Sequence, residues 1–173
     1  MRISSLEEYG LRCMLALARK GPQGQLSISE IAELEGLSVP YASKLLAILR
    51  KAELVSAVRG RGGGFCISRP AEDITLFAVL TALGGPLIDP DHCKRFSGQH
   101  EECVHTEDCC VHHVLDSLAS FIGEILERTT LSDLVKAGAE QRHGHRGLIL
   151  ADSLRGSMTD ENTVPSPDNG NEI

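Results

Sequence analysis

The strongest constraint on how this chain folds is a run of helix punctuation between Ser27 and Ala52. Ser27 and Glu30 stand at capping-box spacing, where each side chain satisfies a backbone N–H that the first helical turn leaves free. Ile28, Ile31 and Leu34 give one apolar face, and Gly36 supplies the left-handed residue that closes a short helix. Ser38 opens the next helix as its N-cap, with Pro40 in the first turn, where a missing N–H costs nothing. Ala42, Leu45, Leu49 and Ala52 then face inward, which leaves Tyr41, Ser43, Lys44 and Lys51 outside. Two short helices joined by a tight Gly turn form a helix-turn-helix, although a plain amphipathic pair in a bundle carries the same marks. Upstream, Ser5 with Glu8 reads as another capping box, opening a helix with the stripe Leu6, Tyr9, Cys13 and Leu17 that ends at Lys20-Gly21-Pro22.

The segment after the helix pair decides between a DNA-binding module and a plain bundle. Residues 54–58 read as a strand, Arg59-Gly60-Arg61-Gly62-Gly63-Gly64 as a tight turn and Phe65-Cys66-Ile67 as the returning strand. Such a hairpin is a wing. The glycines let its backbone approach a phosphate or enter a minor groove, and Arg59 and Arg61 supply the charge. A merely flexible turn explains the glycines and leaves the arginines unexplained. Charge is distributed in the same sense: residues 1–70 carry ten Lys/Arg against six Asp/Glu, and the remainder seven against eighteen, within a net charge of −7. A basic front half suits nucleic acid even in an acidic protein, because the potential that matters is local to the docking face.

The acidic half holds the other chemistry-bearing feature. Four of the six cysteines, Cys93, Cys103, Cys109 and Cys110, and five of the seven histidines, His92, His100, His105, His112 and His113, fall in the 23 residues from Asp91 to His113. Thiolate and imidazole are ligands for zinc and iron-sulfur centres, and a loop rich in both can wrap a small inorganic group. The spacing, Cys-x9-Cys-x5-Cys, points to a metal and leaves its species open. A disulfide framework would require secretion. The N-terminus places Glu7 and Glu8 where a signal peptide needs an apolar run, and the sequence has no stretch of about 18 consecutive apolar residues, so a soluble cytoplasmic protein with reduced thiols and no membrane partner is expected. Cys13 and Cys66 lie among apolar residues and read as buried small hydrophobes.

Between and beyond these features, residues 74–83 read as a short apolar helix ended by Gly84-Gly85-Pro86, and a longer helix runs from Val111 to about Arg128. Its stripe of Val114, Leu118, Phe121, Ile122 and Ile125 is broader than a single winged domain can cover, which favours dimerisation over packing on the first helix. Beyond Gly138 periodicity is lost, and Gly, His, Ser, Pro, Asp and Asn dominate a tail that reads as disordered, with His143 and His145 solvated.

The order Glu8-Tyr9-Gly10-Leu11-Arg12, Ser27-Ile28-Ser29-Glu30-Ile31-Ala32, Leu49-Arg50-Lys51-Ala52, Val58-Arg59-Gly60-Arg61-Gly62-Gly63-Gly64-Phe65 and Arg69-Pro70-Ala71-Glu72-Asp73-Ile74 resembles the IscR/NsrR family of iron-sulfur transcriptional regulators over roughly residues 1–136. The Gly-rich wing, a three-cysteine loop and the segment Thr130 to Leu134 carry its specificity. The resemblance implies a homodimeric winged-helix protein that binds a palindromic operator in double-stranded DNA, with a cluster modulating its affinity. It assigns the cluster cysteines to Cys93, Cys103 and Cys109, with a longer first interval than in relatives and with Cys110 as an extra thiol. The fourth ligand it implies is His112 or, from the partner's first helix, Glu8, which a capping role explains equally well. Three thiolates with one imidazole suit a 2Fe-2S centre better than a 4Fe-4S one. For DNA it implies Tyr41, Ser43 and Lys44 on the recognition helix and Arg59 and Arg61 on the wing. Ser43 replaces an acidic residue, and Arg61 a frequent proline, so the operator of the IscR branch does not transfer.

The expected architecture is mainly α with a small β-wing: a winged helix-turn-helix over 1–70, a cluster-binding loop and long C-terminal dimerisation helix over 71–138, and a disordered polar tail over 139–173. The expected function is a DNA-binding regulator, a repressor, whose affinity follows an iron-sulfur cluster. A zinc-stabilised or thiol-redox-switched DNA binder would use the same cysteines without iron. A metal-dependent enzyme would need a general base and a substrate cleft, and no motif supplies them.

Overall fold

The computed structural model describes residues 3–21, 24–60, 62–87, 95–100, 103, 105 and 109–142. Helix α1 (Ser5–Ala18) is followed by α2 (Ile28–Glu35) and α3 (Val39–Lys51), then by the hairpin of β1 (Val55–Val58) and β2 (Gly64–Ile67). A 3-10 turn (Ala71–Asp73) leads to α4 (Leu76–Gly84), and the described chain ends in α5 (Cys110–Arg128) and α6 (Leu131–Arg142). The mainly helical fold with one small antiparallel sheet is that of a winged helix-turn-helix with a long C-terminal helix.

The caps explain where the helices begin. Ser27 accepts from the Glu30 amide while the Glu30 carboxylate accepts from the Ser27 amide, and Gly36 closes α2 in the left-handed conformation at φ 66°. The amide of Ser27 is the main reason the Glu30 carboxyl sits below its ordinary range. Ser38 caps α3 as expected. At α1 the capping box is Ser4 with Glu7, one residue before the expected Ser5 and Glu8. Both pairs satisfy the same spacing, and the earlier one adds a residue to the helix without changing the face that Cys13 and Leu17 bury. Glu8 is therefore an exposed side chain with no capping role.

One core joins both halves of the chain. Cys13, Met14 and Leu17 of α1 pack with Leu45, Leu46 and Leu49 of α3, with Leu54 and Val55, and with Ile74, Val79, Leu83 and Leu131 from beyond residue 70. Helix α1 is central, with α2, α3, α4 and α6 packed around it. At Gly10 an added Cβ would collide with the Leu83 side chain, so this glycine sets how closely α1 and α4 approach. Burial in this core pushes the Cys13 thiol up to about 11, as a small hydrophobe behaves. Cys66 differs from that expectation: it is half-buried, and its thiol points to the Ser56 carbonyl at 3.8 Å. Ala52 is exposed at the helix end rather than facing inward, because α3 stops at Lys51 and the chain turns through Glu53.

Helix α5 packs on α4, where Gly123 lies against Phe77 and Leu87, and α1 is covered by α4 and α6 instead. Packing of the long helix on the first, one of the two expected arrangements, is not the one adopted. Val111, Val114, Leu118 and Phe121 remain 68%, 67%, 52% and 53% exposed, at helical spacings of three and four. At its far end α5 is tied down by the backbone: Leu76 N–H donates to Thr129 O at 2.8 Å and Leu131 N–H to Ile74 O at 2.9 Å. Asp133 then accepts from the amide and hydroxyl of Thr130, which hold its carboxyl below the usual range and start α6. This helix runs to Arg142, past the Gly138 at which the sequence pattern loses its period. Residues 143–173, including His143 and His145, lie outside the described residues.

Candidate nucleic-acid interface and metal-binding loop

The face that could meet DNA is built by α3 and the hairpin. Ser43 and Lys44 are exposed on α3, fixed by a helix whose opposite side carries the buried Ala42, Leu45, Leu46 and Leu49. Tyr41, expected outside, is instead half-buried, its ring edge-on to Tyr9 at 6.0 Å between centroids. Arg12 lies over the same Tyr9 ring, 5.2 Å from its centroid, and pairs with Glu35 at 2.7 Å. That hydrogen bond raises the Arg12 guanidinium further and commits it to the fold.

The wing pairs β1 and β2 in register from Val55 with Ile67 to Val58 with Gly64. Leu26 adds a third, one-residue edge by exchanging backbone bonds with Phe65, and the Gln25 amide donates to Gly62 O at 2.6 Å. The turn needs glycine for two reasons: Gly62 has φ 78°, and a Cβ at Gly63 or Gly64 would strike the carbonyl of Val58 or Leu26. Arg59 is exposed at the end of β1. Arg61 lies outside the described residues. Sequence reading missed Arg50, exposed on the last turn of α3, which with Glu53, Ser56, Arg59 and Ser68 lines an open cleft between helix and wing. Its signal was available in principle, seven residues after Ser43 on the same helix face.

Of the proposed metal ligands, Cys103, Cys109 and His112 are described and half-buried, and Cys93 is outside the described residues. Cys109 is the N-cap of α5, and its sulfur accepts from the His112 amide at 3.4 Å. A sulfur that takes a helix-terminal N–H in place of a serine or aspartate oxygen is placed as an anionic ligand would be. Cys110, the extra thiol, is exposed in the first turn. Glu8 projects into solvent from α1. Among the described residues no three of His, Cys, Asp and Glu converge as a metal-holding group. Thiol and imidazole are donor types that hold iron-sulfur clusters and zinc, and of the cysteines expected to supply them only Cys103 and Cys109 are among the described residues.

A recognition helix set beside a Gly-rich basic wing defines a winged-helix DNA-binding protein of the transcription-regulator class. The chain belongs to the Rrf2 family, whose model, described as "Iron-dependent Transcriptional regulator", matches residues 3–137. It is similar to the HTH-type transcriptional regulator IscR of Sodalis glossinidius (strain morsitans), 35% identical over 135 residues, which make up 78% of this chain and 79% of that one. The structure of T. potens IscR matches with a TM-score of 0.65 at 31% identity, covering 85% of this chain and 94% of that chain. The oxidized form of Staphylococcus aureus CymR matches with 0.60 at 31% identity, covering 78% and 96%. The protein is thus an IscR/Rrf2-like transcriptional regulator and not an enzyme. No helix among the described residues is long and apolar enough to cross a membrane.

Proposed function

We propose that the chain acts in the cytoplasm as a homodimeric repressor that binds a palindromic operator, with an affinity set by an iron-sulfur cluster on Cys93, Cys103, Cys109 and His112. The observation that carries this reading is the position of Cys109. It is at once a cysteine of the ligand-rich loop and the N-cap of α5, whose outward apolar stripe is suited to a second copy. When bound, a cluster of the 2Fe-2S kind supplies a redox-sensitive tie among these side chains. Cys109 and His112 would anchor that tie to the first turn of α5, so ligation sets where the helix begins. The crossing of two such helices fixes the separation of the two α3 helices, which must match half-sites about one DNA turn apart or a multiple of it. Glu8 stays the alternative fourth ligand, since it is exposed and free of the capping role.

At the DNA, Ser43 and Lys44 would reach base edges with help from the Tyr41 edge, and Arg59 and Arg61 would neutralise phosphate or narrow-groove potential. Replacing both wing arginines by Ala is expected to weaken binding to specific and unrelated duplexes alike and to lower the salt slope by about one to two counterions. An unchanged slope would remove the wing from the interface.

The test of the regulatory reading is a titration of one duplex, selected by the protein from random sequence, with holo and apo dimers at a single salt concentration. The expected coupling is about 1–3 kcal/mol, roughly 5- to 150-fold, with the holo form tighter. Equal affinities would make the loop structural. A second reading is a thiol switch without iron, favoured by the likeness to oxidized S. aureus CymR and by the closeness in sequence of Cys103, Cys109 and Cys110. Visible absorption of anaerobically purified protein separates the two, since only iron-sulfur ligation gives charge-transfer bands, and bound zinc would leave a colourless protein.

A further inference from the structure

On α3 the exposed residues Ser43, Ala47 and Arg50 stand at intervals of four and three, so they share one helix face. Ser43 and Ala47 are short, which lets this face approach a partner closely, and Arg50 ends it with a long cation. The cleft that Arg50 and Arg59 line with Glu53 has two properties that packing does not require. Neither guanidinium has an ion-pair partner among the described residues, although a carboxylate shares their cleft. Glu53 also holds φ 58°, the left-handed region that glycine occupies freely and that costs another residue about 1 kcal/mol. Its carbonyl accepts from the Ser68 hydroxyl, and the next amide, Leu54 N–H, donates to Leu49 O, so the strained residue is held in place.

We propose that Arg50 and Arg59 share one backbone phosphate of the bound duplex, seated in the cleft between recognition helix and wing, with Glu53 opposing the anion and limiting the strength of that seat. The proposal rests on the duplex-binding reading above. Guanidiniums approaching from two elements give a phosphate two forks of donors and fix the helix relative to the wing. The carboxylate weakens phosphate contacts, which dominate sequence-independent binding, and leaves the base contacts of Ser43 and Lys44 untouched. Its effect is to widen the ratio of specific to non-specific affinity.

The experiment uses the full chain and a mixed-sequence duplex, titrated by fluorescence anisotropy over a range of salt concentrations, with thermal melts showing that each variant is folded. Arg50→Ala and Arg59→Ala are each expected to weaken binding about tenfold with little change in salt slope, because the remaining guanidinium still neutralises the phosphate, and the double variant is expected to reduce the slope by about 0.9. Glu53→Gln is expected to tighten the same duplex about threefold, a change of opposite sign that a structural role would not produce. Inorganic phosphate at matched ionic strength should leave the duplex affinity unchanged. The proposal is overturned if Arg50→Ala behaves as wild type, if the double variant keeps the wild-type slope or loses about twice 0.9, if Glu53→Gln weakens binding, or if inorganic phosphate competes beyond its ionic strength. A wild-type chain without salt-dependent duplex binding would instead remove the duplex-binding reading, and this proposal with it.

Discussion

Reconstituting the protein anaerobically with iron and sulfide should give a coloured wild type and colourless Cys93→Ala, Cys103→Ala and Cys109→Ala variants, whereas Cys110→Ala should keep its colour. The two adjacent thiols are unlike in their surroundings. Cys109 is half-buried, with its sulfur taking the His112 amide at the mouth of α5, while Cys110 is exposed in the first helical turn. A ligand thiolate gains from the amide and from the positive end of the helix, and its loss leaves too few donors to hold a cluster. Colour lost in Cys110→Ala and kept in Cys109→Ala would reverse the assignment. His112→Ala and Glu8→Ala, read by the position of the bands rather than their presence, distinguish the two candidates for the fourth ligand.

Charging the outward face of α5 is expected to dissociate the proposed homodimer. Leu118 and Phe121 stand half exposed on a helix whose other side is already packed on α4, so a second copy would bury both in each subunit. Full burial of a large apolar side chain contributes about 1.5–3 kcal/mol, so four that are half exposed contribute about 3–6 kcal/mol, and the double variant Leu118→Glu with Phe121→Glu should raise the dissociation constant roughly 10²- to 10⁴-fold. Sedimentation velocity should show a folded monomer, and affinity for a two-half-site operator should fall with it. A variant that stays dimeric at micromolar concentration would place the interface elsewhere and leave the stripe without that role.

How much of the fold and site is legible in the sequence depends on whether the cause is local. Ser27, Gly36 and Ser38 act within one helical turn of themselves, and each is found doing what its spacing predicts. The cap of α1 differs by one residue from the expected one because Ser4 with Glu7 and Ser5 with Glu8 are equivalent as patterns, and only the built helix tells them apart. The wing is readable from glycines whose need is local, at Gly62 with its positive φ and at Gly63 against the Val58 carbonyl, whereas the need at Gly64 comes from Leu26, distant in sequence. Helix α6 is less visible. Its start is fixed by Thr130 and Asp133, but its length depends on burying Leu131 and Ala137 in the shared core, a tertiary cause. The half-burial of Tyr41 depends likewise on Tyr9, which is 32 residues away in sequence and adjacent only in the fold. The cleft of Arg50 and Arg59 is of the same kind, since it exists only once the turn through Glu53 brings helix and wing together.

The backbone tie at Thr129 and Thr130 gives α5 the mechanics of a cantilever. With Leu76 and Leu131 bonded across it, the C-terminal end of the helix is clamped to the body that carries α3, and Gly123 against Phe77 and Leu87 forms the bearing next to the clamp. The 19 residues from Cys110 to Arg128 make an arm about 28 Å long, so a tilt of about 5° at the clamp moves the N-terminal tip by about 2.5 Å. Run in reverse, a displacement of a few ångströms imposed where Cys109 sits reaches the body as a rotation of only a few degrees. The device reduces motion rather than amplifying it, which would suit the proposed coupling, in which ligand exchange near the tip need turn the recognition elements through only a small angle.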